Sequence, residues 1–435
     1  MGRVGFARRT APALFLWASV FYLPDSPDLP DAPGSFAQPS DPVARDLAGS
    51  DPGVRLRAVE SLKEAANPDA ALPLARLVTD PRDDIQLAAI AAELNIFLAE
   101  RIVPRKRIGG VVEVRRQILA EPVFSAGPPA IGGRHVPIEV LNALHAAWRD
   151  DNPRVAIEAL YAFGALAGDP SGDERRELLR AIGPDAAALV GASDRALRFA
   201  VIRVMGRTFA PRAGDPPIEP TVGDAVIAAL NDSDRPVKIA AMRALGAVRY
   251  ERAVDSLTKL FEYYGRGGAA EAALDALARI AHPSSVPLFA ARLAERSPAL
   301  RVAAIDGLAR EGDPSRLDQI KAAAAADRDE GVALAAAFAA ALLADGPLDA
   351  LVQAAAKPKS EARDYLVELA PGRAERFARY AADPDERIRL AVVDALGVSR
   401  DPAAIAIVEP LVTDPSPRVA RAAGLAVERL RTARR

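Results

Sequence analysis

Cysteine is absent from all 435 residues. That removes disulfides, thiolate nucleophiles, cysteine zinc sites, lipid attachment through cysteine and haem attachment through CxxCH. The absence fits either side of a membrane, so it gives no compartment. Aromatic residues are scarce at 5%, although half of the residues are apolar. A core of Ala, Leu, Val and Ile with few rings suits closely packed helices, whereas β-sandwiches favour β-branched and aromatic residues. An excess of one charge is missing too, with 58 acidic against 56 basic residues, so no global field steers the chain toward polyanions. Lysine is rare, at seven residues, and beside so much alanine this reads as genome composition.

Catalytic and metal signatures are equally thin. Of three histidines, His135 lies in an irregular stretch, His145 in a helical one and His282 at a turn. None belongs to HExxH, and none is followed directly by glutamate. Two isolated imidazoles at His135 and His145 are a weak metal signal, and both read as surface histidines. The aspartates at Asp80, Asp83 and Asp84 lack the glycine and distal glutamate of an EF-hand loop. No GxSxG, P-loop or properly placed GxGxxG occurs. The expectation is therefore no enzyme, no cofactor and no metal.

The N-terminus is distinct. Three arginines in MGRVGFARR precede an apolar stretch from Ala11 to Leu23, shorter than the roughly 20 residues a span requires. Ser35-Phe36-Ala37 before Gln38 is an acceptable small-x-small cleavage site. Residues 1–37 thus read as a secretory signal peptide, which implies a periplasmic or extracellular protein. An uncleaved membrane tether and a cytoplasmic tail are the alternatives. Residues 38–50 read as a Pro-rich linker, continuing the proline-rich run that begins at Pro24.

From Asp51 onward one pattern recurs: DPGVRLRAVESL, NDSDRPVKIAAMRALG, SPALRVAAIDGLA, DPDERIRLAVVDALG. With the aliphatic residue before the basic one as register zero, copies fall at Val54, Ile85, Val155, Leu197, Val237, Ala269, Leu300, Val332, Ile388 and Val419, with a weaker one at Ala362. Many neighbouring copies are 31 or 32 residues apart, and a fixed period of this length marks a solenoid. Apolar residues at offsets 0, 4, 5 and 8 are helical spacing. Asp51, Asp194, Asp234 and Asp385 sit three residues earlier, where a carboxylate can cap free N–H groups. Gly164, Gly206, Gly246 and Gly397 follow the last apolar position and read as helix stops. A first helix precedes each of these, as in DAALPLARLVTD and AIAIVEPLVTD; Pro73, Pro287 and Pro410 should bend it. Neither helix can bury its apolar stripe alone, but stacked pairs can.

The turn aspartate, the aliphatic-basic pair (Val54-Arg55, Leu197-Arg198, Val237-Lys238, Leu300-Arg301, Ile388-Arg389), the alanine at offset 4 and the Leu-Gly ending together resemble the HEAT-repeat superfamily. They are most similar to the short HEAT-like units also found in phycobilin lyases. The resemblance covers most of Asp51 to Arg431. It implies an all-α solenoid of about ten stacked two-helix repeats over 51–100 and 138–435, with the second helices lining a concave face. It also implies an aspartate–arginine ladder between neighbouring units. That ladder should break where Gln86, Ala156 and Ala333 replace the basic residue.

Residues 101–137 interrupt the period with a basic Gly/Pro-rich insertion, expected as a loop with a short hairpin. Its Arg105, Lys106 and Arg107 can hold an anion, or can simply be solvated. A second stretch, Thr208 to Pro220, reads as linker. Offset 6 should face the concave side, giving Glu60, Tyr161, Arg203, Arg243, Asp275, Asp306, Phe338 and Asp394. The sign changes along this row, whereas nucleic acid wants many same-sign contacts. The expectation is a monomeric, non-enzymatic scaffold that binds another protein or peptide through Tyr161, Arg203, Arg243, Asp275 and Asp306. The alternative is a lyase-like protein handling a small molecule near 101–137.

Overall fold

The computed structural model describes residues 45–99, 119–168, 170–212, 214–357 and 360–432. The chain divides into two units, Met1–Ala37 and Gln38–Arg435. The signal-peptide reading and the basic residues Arg105, Lys106 and Arg107 lie outside the described residues, all of which belong to the second unit.

Helices dominate that unit, and among the described residues the only β-pairing is one antiparallel bridge, Leu98 with Ile131. The recurring pattern forms the second helix of each pair: Pro52–Ala65, Asp83–Phe97, Pro153–Leu166, Arg195–Thr208, Arg235–Ala247, Gly268–Ile280, Pro298–Glu311, Glu330–Leu343, Glu386–Gly397 and Pro417–Thr432. The weak copy forms the shorter Ala362–Leu369. Second helices pack on one another along the chain, and the first helices back them. One continuous hydrophobic core runs from Leu47 to Leu430. The fold is an all-α solenoid. No helix of the described residues is long and apolar enough to cross a membrane.

The caps behave as the pattern predicts. Asp51 accepts from Gly53 N at 2.8 Å, Asp194 from Leu197 N at 2.9 Å, Asp234 from Val237 N at 3.2 Å and Asp385 from Arg387 N at 2.9 Å. Each satisfies a donor that a helix start leaves open.

The glycines and prolines do something else. Gly164, Gly206 and Gly246 lie inside their helices, and none has a positive φ. Their reason is the neighbouring helix. A Cβ at Gly246 would stand 2.7 Å from Ala276 Cα, one at Gly206 3.0 Å from Ala244 Cα, and one at Gly397 2.7 Å from Ala426 Cβ. In each case the glycine at offset 9 meets the alanine at offset 7 of the following second helix. Backbone thus touches backbone, and the expected stop is a contact point. Pro287 falls in the first turn of Val286–Arg292, where no N–H is needed and no bend results. Pro410 does end a helix, because Ala404–Val408 passes there into a 3-10 turn over Glu409–Thr413.

Two irregular stretches are more ordered than their sequences imply. The described half of the insertion contains a helix, Ala120–Ala126, rather than loop throughout. After it the chain pairs with the end of Asp83–Phe97, Gly132 N donating to Phe97 O at 2.7 Å. The stretch from Thr208 to Pro220 is pinned by Arg175, which is 1% exposed and bonds Asp215 at 2.9 Å and Thr208 O at 2.9 Å.

The last helix also reaches the insertion. Arg429 Nε donates to Ile131 O at 3.0 Å and Arg429 Nη2 to Pro129 O at 3.0 Å, across about 300 residues of chain. Thr432 Oγ1 donates to Gly133 O at 2.9 Å. A Cβ at Gly133 would lie 2.8 Å from Arg429 N, so only glycine allows this approach.

Candidate functional site

Interior polar chemistry starts with the arginine one residue after register zero. Arg55 forms a two-point pair with Asp80 (2.8 and 3.1 Å), and Arg198 does the same with Asp232 (2.7 and 3.1 Å). Arg389 repeats it with Asp414 (2.7 and 2.8 Å), and Arg301 pairs with Asp327. The fork geometry of guanidinium matches carboxylate in this way. The third nitrogen of each arginine bonds two carbonyls of its own turn, such as Ala192 O and Ser193 O for Arg198. Each aspartate also accepts from the N–H two residues on: Asp232 takes Asp234 N at 2.7 Å, and Asp234 caps the next helix. Arg198, Arg301 and Arg389 hold their aspartates below the usual carboxylate range.

The ladder therefore exists, but its aspartates are not the capping ones of the sequence pattern. They stand in the turn of the following unit. The expected break at Gln86 is also corrected, since Gln86 Nε2 donates to Asp150 Oδ2 at 2.8 Å and makes a neutral rung. Ala156 and Ala333 have no side-chain donor and form none.

Asp306 at offset 6 lies buried between the helices. It accepts from the Tyr365 hydroxyl at 2.9 Å, bypassing the intervening helix Glu330–Leu343. Arg310 joins Asp306 (3.2 Å) to Glu368 (2.9 Å), and Phe338 stacks on Tyr365 at 4.5 Å between ring centres. Asp306 is 5% exposed, and burial pushes its carboxyl up to about 6 against the pull of Arg310.

Tyr161, only 4% exposed, and Arg203 belong to a second internal group. Arg203 donates to Glu121 at 2.8 Å, Ser125 at 2.8 Å and the Tyr161 hydroxyl at 3.2 Å. Phe124 lies 5.3 Å from the Tyr161 ring, and Arg207 sits over its face at 3.8 Å. The insertion helix thus covers this part of the row. Burial and the neighbouring Arg203 lower Arg207 to about 10.

The middle of the row lies at the surface. Arg243 is exposed, and half-buried Asp275 pairs with exposed Arg279 at 3.1 Å. Of the five partner residues expected from sequence, Arg243 and Asp275 face outward, Arg203 is engaged, and Tyr161 and Asp306 lie beneath. Sequence reasoning missed Arg279, although its place four residues after Asp275 was a legible ion-pair signal.

His145 is not a surface histidine. It bonds Asp185 at 2.8 Å and packs on Trp148, and burial lowers its pKa despite Asp185. Among the described residues no three His, Cys, Asp or Glu side chains gather as a metal site.

Residues 184–271 match the family model for HEAT repeats. No curated protein matches the chain. Among solved structures, an engineered protein shares 17% identity and a TM-score of 0.43, over 91% of this chain and 98% of its own. The complex of CpcE and CpcF of phycocyanin lyase from Nostoc shares 21% and 0.36, over 56% and 93%. Kap95p in a complex with RanGDP shares 14% and 0.35, over 89% of this chain and 50% of its own. Residues 184–271 thus match HEAT repeats, and the same capped, arginine-clamped helix pair is built on either side of that segment.

Proposed function

We propose that this protein is a non-catalytic scaffold that binds another protein or peptide along the inner row of its second helices. One observation carries the reading: the middle of the row is open, and there Arg243 on one second helix and the Asp275–Arg279 pair on the next present charges of both signs. Alternating charge suits a partner with its own charge pattern. A phosphate backbone, by contrast, gains from a run of cations. Tyr161 and Asp306 support the wall from behind, so alanine there would damage packing rather than report contact.

The test is charge reversal at the open residues. Crosslinking in native extract with the Arg243→Glu, Asp275→Arg, Arg279→Glu variant should lose the partners that the unaltered chain captures, at an unchanged melting temperature. The same partners in the same amount would refute this placement.

A further inference from the structure

The arginine ladder lapses at two successive joints. After the Arg301–Asp327 rung, Glu330–Leu343 carries Ala333 one residue past register zero. Ala362–Leu369 carries Arg363 there, which donates to Ala355 O at 3.0 Å rather than to a turn aspartate. The ladder resumes with Arg389 and Asp414. Across the gap stands the cluster around Asp306. Asp306 and Arg310 lie one turn apart on Pro298–Glu311, and Tyr365 and Glu368 lie one turn apart on Ala362–Leu369, so each pair shares a face. The Tyr365 hydroxyl donates to Asp306 at 2.9 Å, and Arg310 gives Glu368 a two-point bond of 2.9 and 2.9 Å. These bonds join the second helices on either side of Glu330–Leu343 directly. Phe338 of the intervening helix stacks on Tyr365, with the Arg310 guanidinium 5.2 Å from its ring centre.

Asp306 is the buried carboxyl of this cluster, and the groups that face it come from three helices. Arg310, on its own helix, is 3.2 Å away but directs its two-point bond to Glu368. Gly268–Ile280 brings Asp275, which pairs with Arg279 at 3.1 Å. Ala362–Leu369 brings Tyr365 and Glu368. Glu330–Leu343 brings none, since its one charged residue, Glu330, pairs with Lys357 at 2.7 Å. Burial opposes ionisation of Asp306, and so do the like charges of Asp275 and Glu368, whereas Arg310 and Tyr365 favour it. Burial wins, which puts the carboxyl at about 6 against its ordinary 3.8. With the folded value the higher, the stability this group contributes is complete below 3.8 and is lost as pH rises through about 6.

We propose that this cluster is a proton-controlled brace, which takes the place of the two missing rungs and grips more tightly as the solution is acidified. The inference stands on the cluster itself and holds whether or not the row captures a partner. Because Asp275 faces Asp306 and also belongs to the open middle of the row, the brace sits directly against that row.

Hydrogen exchange on the full chain, corrected for the intrinsic pH dependence of amide exchange, tests it. Protection of Ala362–Leu369 should rise by about tenfold from pH 8 to pH 5, as expected for one carboxyl raised from 3.8 to about 6. Arg235–Ala247 should show no such rise. Asp306→Asn keeps the shape but cannot ionise, and it should abolish the dependence. Tyr365→Phe removes a bond to the ionised form and should move the midpoint up. Glu368→Gln removes a negative charge and returns Arg310 to Asp306, so it should move the midpoint down. Opposite shifts cannot come from a folding defect, which would loosen the joint at every pH. Protection that stays flat or falls on acidification of the unaltered chain overturns the brace. So does an Asp306→Asn chain that keeps the full dependence, or a pair of midpoints that do not move apart.

Discussion

Eight residues after register zero, the second helices carry Leu62, Phe163, Met205, Leu245, Leu277 and Leu396, all buried. In Asp83–Phe97 that position holds Glu93, which is 0% exposed and whose two carboxylate oxygens make no hydrogen bond among the described residues. Burial raises its pKa well above the ordinary 4.5. With the folded value above the unfolded one, the stability this group contributes is complete below about pH 4.5 and is lost as pH rises toward the raised value. Glu93→Leu restores the pattern at similar volume. It should stabilise the chain by about 1–3 kcal/mol, with a larger gain at pH 8 than at pH 5, read from urea midpoints. A variant less stable than the parent at both pH values would contradict the assignment. The anomaly was legible, because a carboxylate at offset 8 breaks a column that every strong copy otherwise fills with an apolar residue. What surrounds it was not, since burial depth depends on which units stack above and below.

Period, caps and helix lengths could be read directly because each depends on residues within one or two turns. The glycines at offset 9 could not. Glycine after an apolar run most often ends a helix, yet Gly246 is required by Ala276, 30 residues away. The difference has a measurable consequence for opposite substitutions. Gly246→Val should cost about 1–3 kcal/mol by forcing two backbones apart. Gly424, in Pro417–Thr432, has open space where a Cβ would stand, with nothing within 4 Å. There Gly424→Ala should add about 0.5–1 kcal/mol through helix propensity alone. Thermal unfolding of the two variants should move in opposite directions, and equal shifts would mean that the glycines act through the backbone rather than through the neighbouring helix. The ladder has the same logic. A ladder between neighbouring units was expected, but which aspartate of each turn forms the rung emerged only when the turns were placed side by side.

Contacts between distant parts of the array left no trace in the sequence. Nothing about Gly133 or Arg429 announces that they meet, because neither belongs to a local pattern that the other completes. In a linear stack each unit depends mainly on its neighbours, and the end units fray first. The bonds from Arg429 and Thr432 to the insertion give the last helix a second support. Gly133→Val should remove it. Hydrogen exchange should then accelerate across Pro417–Thr432 while Arg235–Ala247 keeps its protection; unchanged exchange in the last helix would show that the contact carries little. The same contact bears on the order of events during synthesis. Ile131 leaves the ribosome 298 residues before Arg429, a lag of roughly 15–60 s at about 5–20 residues per second. Throughout that interval the segment around Ile131 must be held by the early units alone, and Pro417–Thr432 joins it only after all the intervening units have been made.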